Sequence, residues 1–232
     1  MLDARLSRIA SGLAALRSQD PDHKLFGAKT HRYELHPRLP EAKVAAFEAK
    51  HGVVLPDDYR AFVTRLGNGG AGPYYGVFRL GEMDDNFGMQ RWKEGGFVGS
   101  LREPFPYVEA RDFSQDRPDL LSDDEADALE EEYQRPLNGA FPLCHEGCAL
   151  RDWLIVSGPE RGNLWHDAVV DHQGYKPWGE GRAAEEKGGV VFPVKEGAAP
   201  REPRARLGFL DWYEAWLECA LAEAGSSSTR GR

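Results

Sequence analysis

Cys144-His145-Glu146-Gly147-Cys148 places two thiols, an imidazole and a carboxylate in one short stretch, and His166, Asp167 and His172 follow it. Those atoms suit zinc, but a structural zinc site pairs two short Cys/His knuckles, and the second knuckle is missing. The expectation is therefore no metal and no cofactor. Cysteine catalysis needs a thiolate, a histidine base and an orienting group. If Cys144 and His145 are neighbours on a strand, they point to opposite faces. No G-x-S-x-G elbow occurs, and Ser157-Gly158 sits in a turn-rich stretch. Gly67-Asn68-Gly69-Gly70 follows a helix signal, whereas a phosphate-binding glycine loop follows a strand. The chain reads as a non-enzyme.

Residue types suited to gripping a macromolecule are easier to find. Ser122-Asp123-Asp124-Glu125 is a capping box, and the helix it opens carries Asp127, Glu130, Glu131 and Glu132 with no Lys or Arg before Arg135. Its acids are expected in water. Residues 81–119 are rich in Gly, Asp and aromatics without a long period, a pattern of loops that carry recognition. Trp92 there lies among polar neighbours, so it either anchors a partner or folds back over the sheet. On charge and loop position, the partner-binding candidates are Asp84, Asp85, Trp92, Glu130 and Glu131.

The elements that must hold these residues are periodic. Leu2, Leu6, Ile9, Leu13 and Leu16 predict an amphipathic helix over 2–17. A second helix opens at Pro40 and ends at Gly52. Pro56-Asp57-Asp58 starts a third, with Tyr59, Phe62, Val63 and Leu66 on one stripe. Gly67 is expected to close it in the left-handed conformation. Strands are predicted at 74–80, 140–143, 149–156 and 164–167, with Val190-Val191-Phe192 a possible last one. Trp153-Leu154-Ile155-Val156 is continuously apolar, as in a sheet covered on both faces. Phe209, Trp212, Tyr213, Trp216, Leu217 and Ala220 give the strongest helical stripe in the chain.

The fold class is thus α+β: a central, mostly antiparallel sheet of about five or six strands, N-terminal helices and a C-terminal aromatic helix. The expected organisation is an N-terminal helix and connector (1–38), the α+β domain (39–223) and a disordered tail (224–232). The chain has 232 residues, 41% of them hydrophobic, and six Trp, enough for a substantial core. Three cysteines are too few for a disulfide framework. With no apolar run of membrane length and no signal-like start, a cytoplasmic location is expected, with no membrane partner. The net charge of −9 argues against nucleic acid and favours a basic protein.

Several of these residues also carry a resemblance. Phe47-Glu48, Leu55-Pro56-x-x-Tyr59-x-x-Phe62 and Asn68-Gly69-Gly70 resemble the opening of the SUKH superfamily, which includes Knr-type yeast cell-wall regulators and many bacterial immunity proteins. Trp153 to Gly158, Gly162-Asn163 and Trp165-x-Asp167 resemble its central hairpin, and Phe209, Trp212 and Trp216 its closing helix. The resemblance implies the same α+β architecture. For the bacterial branch it implies an immunity role, in which the protein occludes a cognate toxin, frequently a nuclease. The alternative it implies is a regulatory scaffold that binds an endogenous protein.

Overall fold

The computed structural model of the protein describes residues 1–84, 89–92, 98–116, 121–171, 173–179 and 206–229. Helix α1 (Leu2–Gln19) buries Leu6, Ile9, Leu13 and Leu16, the stripe its spacing predicts. It packs on the last helix, α6 (Phe209–Thr229). Gly12 makes that approach possible, because a Cβ there would lie 2.6 Å from Leu217 Cδ2. Arg5 locks the pair by bonding Asp211 at 2.6 Å and Glu214 at 2.7 Å. The helix does not stop before the expected tail. It runs through Gly225 and Ser226 to Thr229, and the Ser226 hydroxyl donates to the carbonyls of Ala222 and Glu223.

Between α1 and the sheet come a single turn, α2 (Ala28–His31), then α3 (Glu41–His51) and α4 (Asp57–Ala61). Gly52 ends α3 with φ 65°, as expected. Helix α4 begins after Pro56 and continues as one turn of π-helix, Phe62–Leu66. That turn changes how the chain reverses. The Gly67 N–H reaches back five residues to the Phe62 carbonyl, and Gly67 itself is extended (φ −177°) instead of left-handed. The reversal falls to Gly69 (φ 79°) and Gly70 (φ 102°).

The main sheet has four antiparallel strands in the order β3-β4-β5-β6. They are Ala140–Gly147, Leu150–Ile155, Leu164–Ala168 and Gly174–Pro177. A separate pair, β1 (Glu82–Asp84) and β2 (Met89–Arg91), forms a small hairpin. The segment 74–80, expected as a strand, contributes only single bridges, from Val77 to Gly70 and to Cys144. Tyr74 (φ 53°) and Gly76 (φ 102°) bend it too sharply for a ladder. Among the described residues the sheet has four strands, continued by isolated rungs Cys144–Val77–Gly70–Leu35. Val190 to Phe192 lie outside the described residues.

Both faces of the sheet are covered. On one, Phe141 meets Tyr59, which meets Phe209 of α6. On the other, Trp165 packs against Phe105 and Tyr107. Trp153, Leu154, Ile155 and Val156 are accordingly all buried. Helix α5 (Asp123–Gln134) opens with the predicted capping box. It is pinned on the second face by Glu132, which accepts from Arg111 and Tyr107, and by Tyr133 against Phe113. No helix among the described residues is long and apolar enough to cross a membrane.

Gly70 exchanges two 2.8 Å backbone bonds with Val77 while holding positive φ, and a Cβ there would collide with the Glu34 carbonyl and Leu35 Cα. Gly70→Ala is expected to destabilise the fold by at least ~2 kcal/mol, from strain and overlap together. Gly225 lies in α6 with open space around it. Gly225→Ala should instead stabilise by ~0.5–1 kcal/mol. Urea melts of both variants check the pair.

Candidate binding surface and the buried polar cluster

The residues best equipped for chemistry turn inward. Strand register sets Asp152 of β4 opposite Cys144 of β3 and opposite His166 of β5, so the three sit in one row across the sheet. Glu146 reaches the same point: its Oε1 is 2.7 Å from His166 Nδ1. Asp152 Oδ1 lies 3.3 Å from that nitrogen and accepts the Trp178 indole N–H at 2.7 Å. Oδ2 accepts the Trp212 indole N–H at 3.0 Å and the Cys144 thiol at 3.8 Å. Asp152 is wholly buried, and His166 and Glu146 nearly so.

Burial alone would lower the His166 pKa, but its bonds to Asp152 and Glu146 outweigh that and raise it to about 9. Burial, reinforced by the Asp152 charge, raises Glu146 to about 7 despite the pull of His166. Burial pushes the Cys144 thiol well up, the opposite of what a nucleophile needs. Glu146, Asp152 and His166 could each offer a ligand atom to a cation, all within 4.8 Å. In this structure Glu146 and Asp152 both bond His166, and Asp152 also accepts from two indoles. The arrangement ties strands β3, β4 and β5 to α6.

The other chemical candidates are dispersed. The His145 ring stacks on Tyr75, away from Cys144, and accepts the Ala149 N–H at 3.2 Å. Cys148 is exposed in the β3–β4 turn. Asp167 points to the opposite sheet face, where it accepts the Trp153 indole N–H. His172 lies outside the described residues. Sequence reasoning passed over Asp152 because it lies in a strand with no partner nearby in sequence; its row exists only once the strands are in register.

The predicted partner-binding residues divide in the same way. Asp84 ends β1, opposite Met89. Asp85 lies outside the described residues. Glu130 and Glu131 are exposed on α5. Trp92 is half-buried and packs edge-on to Phe47 (5.9 Å between ring centroids), with Phe141 at 5.6 Å. It therefore folds back over the core, yet it also lines two adjoining surface depressions of about 320 and 730 Å³. Their rims are basic. Lys43 and Lys50 come from α3, Arg102 from the loop before the main sheet, and Arg135 from the end of α5. The sequence held one sign of this: Lys43 and Lys50 are seven residues apart, two turns along one helix face.

The buried cluster fixes the sign of a pH effect. His166 has an ordinary value of 6.5 unfolded and about 9 folded, so its contribution is full below 6.5 and disappears as pH rises through 9. Glu146, raised from 4.5 to about 7, acts in the same direction. Buried His31, lowered by desolvation to about 4, acts oppositely and loses stability as pH falls from 6.5 through 4. Between about pH 7 and 9 the cluster is the main contributor among the described residues, because the raised Cys219 and Tyr groups titrate higher. Stability should fall between about pH 7 and 9 by on the order of 3 kcal/mol. Denaturant melts across that range should show the slope, and His166→Gln should flatten it.

The family model described as the SMI1 / KNR4 family (SUKH-1) matches residues 38–166, more than half of the chain. No curated protein and no solved structure matches it. The matched span contains α3, α4, the glycine reversal, the first two strands of the main sheet and the start of the third, including Cys144, Glu146, Asp152 and His166. The chain belongs to the SMI1/KNR4 (SUKH-1) family.

Proposed function

We propose that this protein is a non-catalytic binding protein that neutralises a cognate toxin by stoichiometric occlusion. The observation that carries this reading is the outer face of α5. Asp123, Asp124, Asp127 and Glu131 are exposed there, and none forms an ion pair among the described residues. Glu132 and Tyr133 hold the helix to the body, so the acids stand on a fixed platform. Fixed like charges raise the local potential and speed encounter with a basic partner.

Membership of the SUKH-1 family supports a binding role, and the resemblance to its bacterial immunity branch supports a toxin as partner. The mutual hydrogen bonds of the buried cluster are consistent with a body built for shape. Occlusion needs no chemistry from the protein: a basic nuclease surface held against α5 is unavailable to nucleic acid. The runner-up partner, an endogenous cytoplasmic protein, would use the same face.

The experiment is to co-express the chain with toxins encoded beside it and to follow complex formation by stopped flow. Glu130→Lys with Glu131→Lys should slow association roughly tenfold at low salt, and raising salt should erase the difference. A tight complex whose association ignores both salt and the substitutions would remove the acidic-steering reading. If no neighbouring toxin binds, the endogenous partner takes its place.

A further inference from the structure

The basic groove beside Trp92 has the wrong sign for the partner just described. On a chain of net charge −9, Lys50, Arg102 and Arg135 line one depression of about 730 Å³, with Glu103 its one acidic residue among the described residues. None of these three cations, nor Lys43, forms an ion pair among the described residues. Arg102 instead lies over Gly52, with its Nε 3.3 Å from where a Cβ would be. The glycine that ends α3 thereby leaves a shelf for the guanidinium. Lys50, His51 and Trp92 are shared with the smaller depression of about 320 Å³, whose floor is Leu39, Phe47 and Leu80. An apolar slot thus opens directly beside a row of cations.

We infer that this groove binds an acidic peptide segment of a partner protein, seating an apolar side chain in the slot and carboxylates against Lys50, Arg102 and Arg135. Charge complementarity selects the sign of the occupant. Two features select a peptide over a nucleic acid. Arg135 directly follows α5, so the carboxylates of Glu130, Glu131 and Glu132 lie within about a turn and a half of it and repel a continuous phosphate chain. The slot is lined by aliphatic and aromatic groups, which favour a hydrocarbon side chain over a sugar. Trp92 and Phe47 are held edge to face by the core, so the slot is largely formed before anything enters. The inference goes beyond the toxin reading and does not require it, since a toxin and an endogenous protein could equally present such a segment.

The test uses the full chain and an amidated hexapeptide of Asp, Glu, Leu and Phe, titrated by calorimetry and by amide chemical shifts at low salt. Saturable binding with Kd of roughly 10–500 µM and shifts at Lys50, Arg102 and Asn138 are expected. Lys50→Glu with Arg102→Glu should weaken it at least tenfold, and Glu131→Lys should leave it in place or tighten it. Both variants change exposed side chains, and circular dichroism confirms their folding. Absence of binding at millimolar peptide would overturn the proposal. So would equal affinity in the groove-reversed variant, or equal affinity for an oligothymidylate of the same charge. Loss of toxin association on α5 reversal with peptide binding intact would separate this site from the acidic platform.

Discussion

Asp152 receives two indole N–H groups, a thiol and an imidazole while having no contact with water. A carboxylate in that position costs several kcal/mol of lost hydration unless its oxygens are satisfied, and here they are. The donors come from far apart in the chain: Cys144 on β3, His166 on β5, Trp178 just after β6 and Trp212 on α6. The node therefore couples completion of the sheet to docking of the last helix, and removing one partner would leave a buried charge uncompensated. That asymmetry makes the ionic node a device for specifying one arrangement more than a source of net stability.

Once α6 is fixed in this way, the aromatic core follows from contact geometry. Phe209 meets Tyr59 and Phe62, and Tyr213 donates to the Ala71 carbonyl at 2.6 Å. Helix α4 and the glycine reversal after it are thereby held to α6. The residues that carry the family resemblance are these same residues. Tyr59, Phe62 and Phe209 pack the core, while Gly69 and Gly70 supply backbone angles that a side chain would resist. Their chemistry is structural, and the binding surfaces proposed above lie elsewhere, on α5 and beside Trp92.

Local signals were legible wherever a local cause existed. The α1 stripe, the Gly52 stop, the capping box at Ser122 and the doubly covered Trp153–Val156 run all follow from spacing or from one residue's backbone preference. What escaped had non-local causes. Gly67 was misread because a π-turn shifts the hydrogen bonds by one residue, and nothing in Phe62-Val63-Thr64-Arg65-Leu66 announces that. The β3–β4 turn places Cys148 (φ 50°) and Ala149 (φ 67°) where Asn-Gly is the usual signal. The Asp152 row and the basic groove are products of register and packing. Cys144-His145-Glu146 drew attention as a possible metal knuckle, yet alternation along the strand sends Cys144 and Glu146 to the node and His145 to Tyr75.

The two charged surfaces meet at the end of α5, where Glu130 and Glu131 give way to Arg135 and the groove. At physiological salt, charges more than about 8 Å apart are largely screened. An approaching protein therefore feels the charges chiefly near contact, where it meets the acidic and basic poles separately. A surface of one sign would attract a basic partner in many orientations. An acidic helix beside a basic, aromatic-floored groove prefers the orientation in which both poles are matched, and it penalises a uniformly basic partner that slides across the boundary. Specificity of this kind needs the poles to keep their spacing, which the Glu132–Arg111 bonds and the packing of Trp92 on Phe47 and Phe141 impose. The rigidity that begins at Asp152 thus reaches the surface as a fixed pattern of charge.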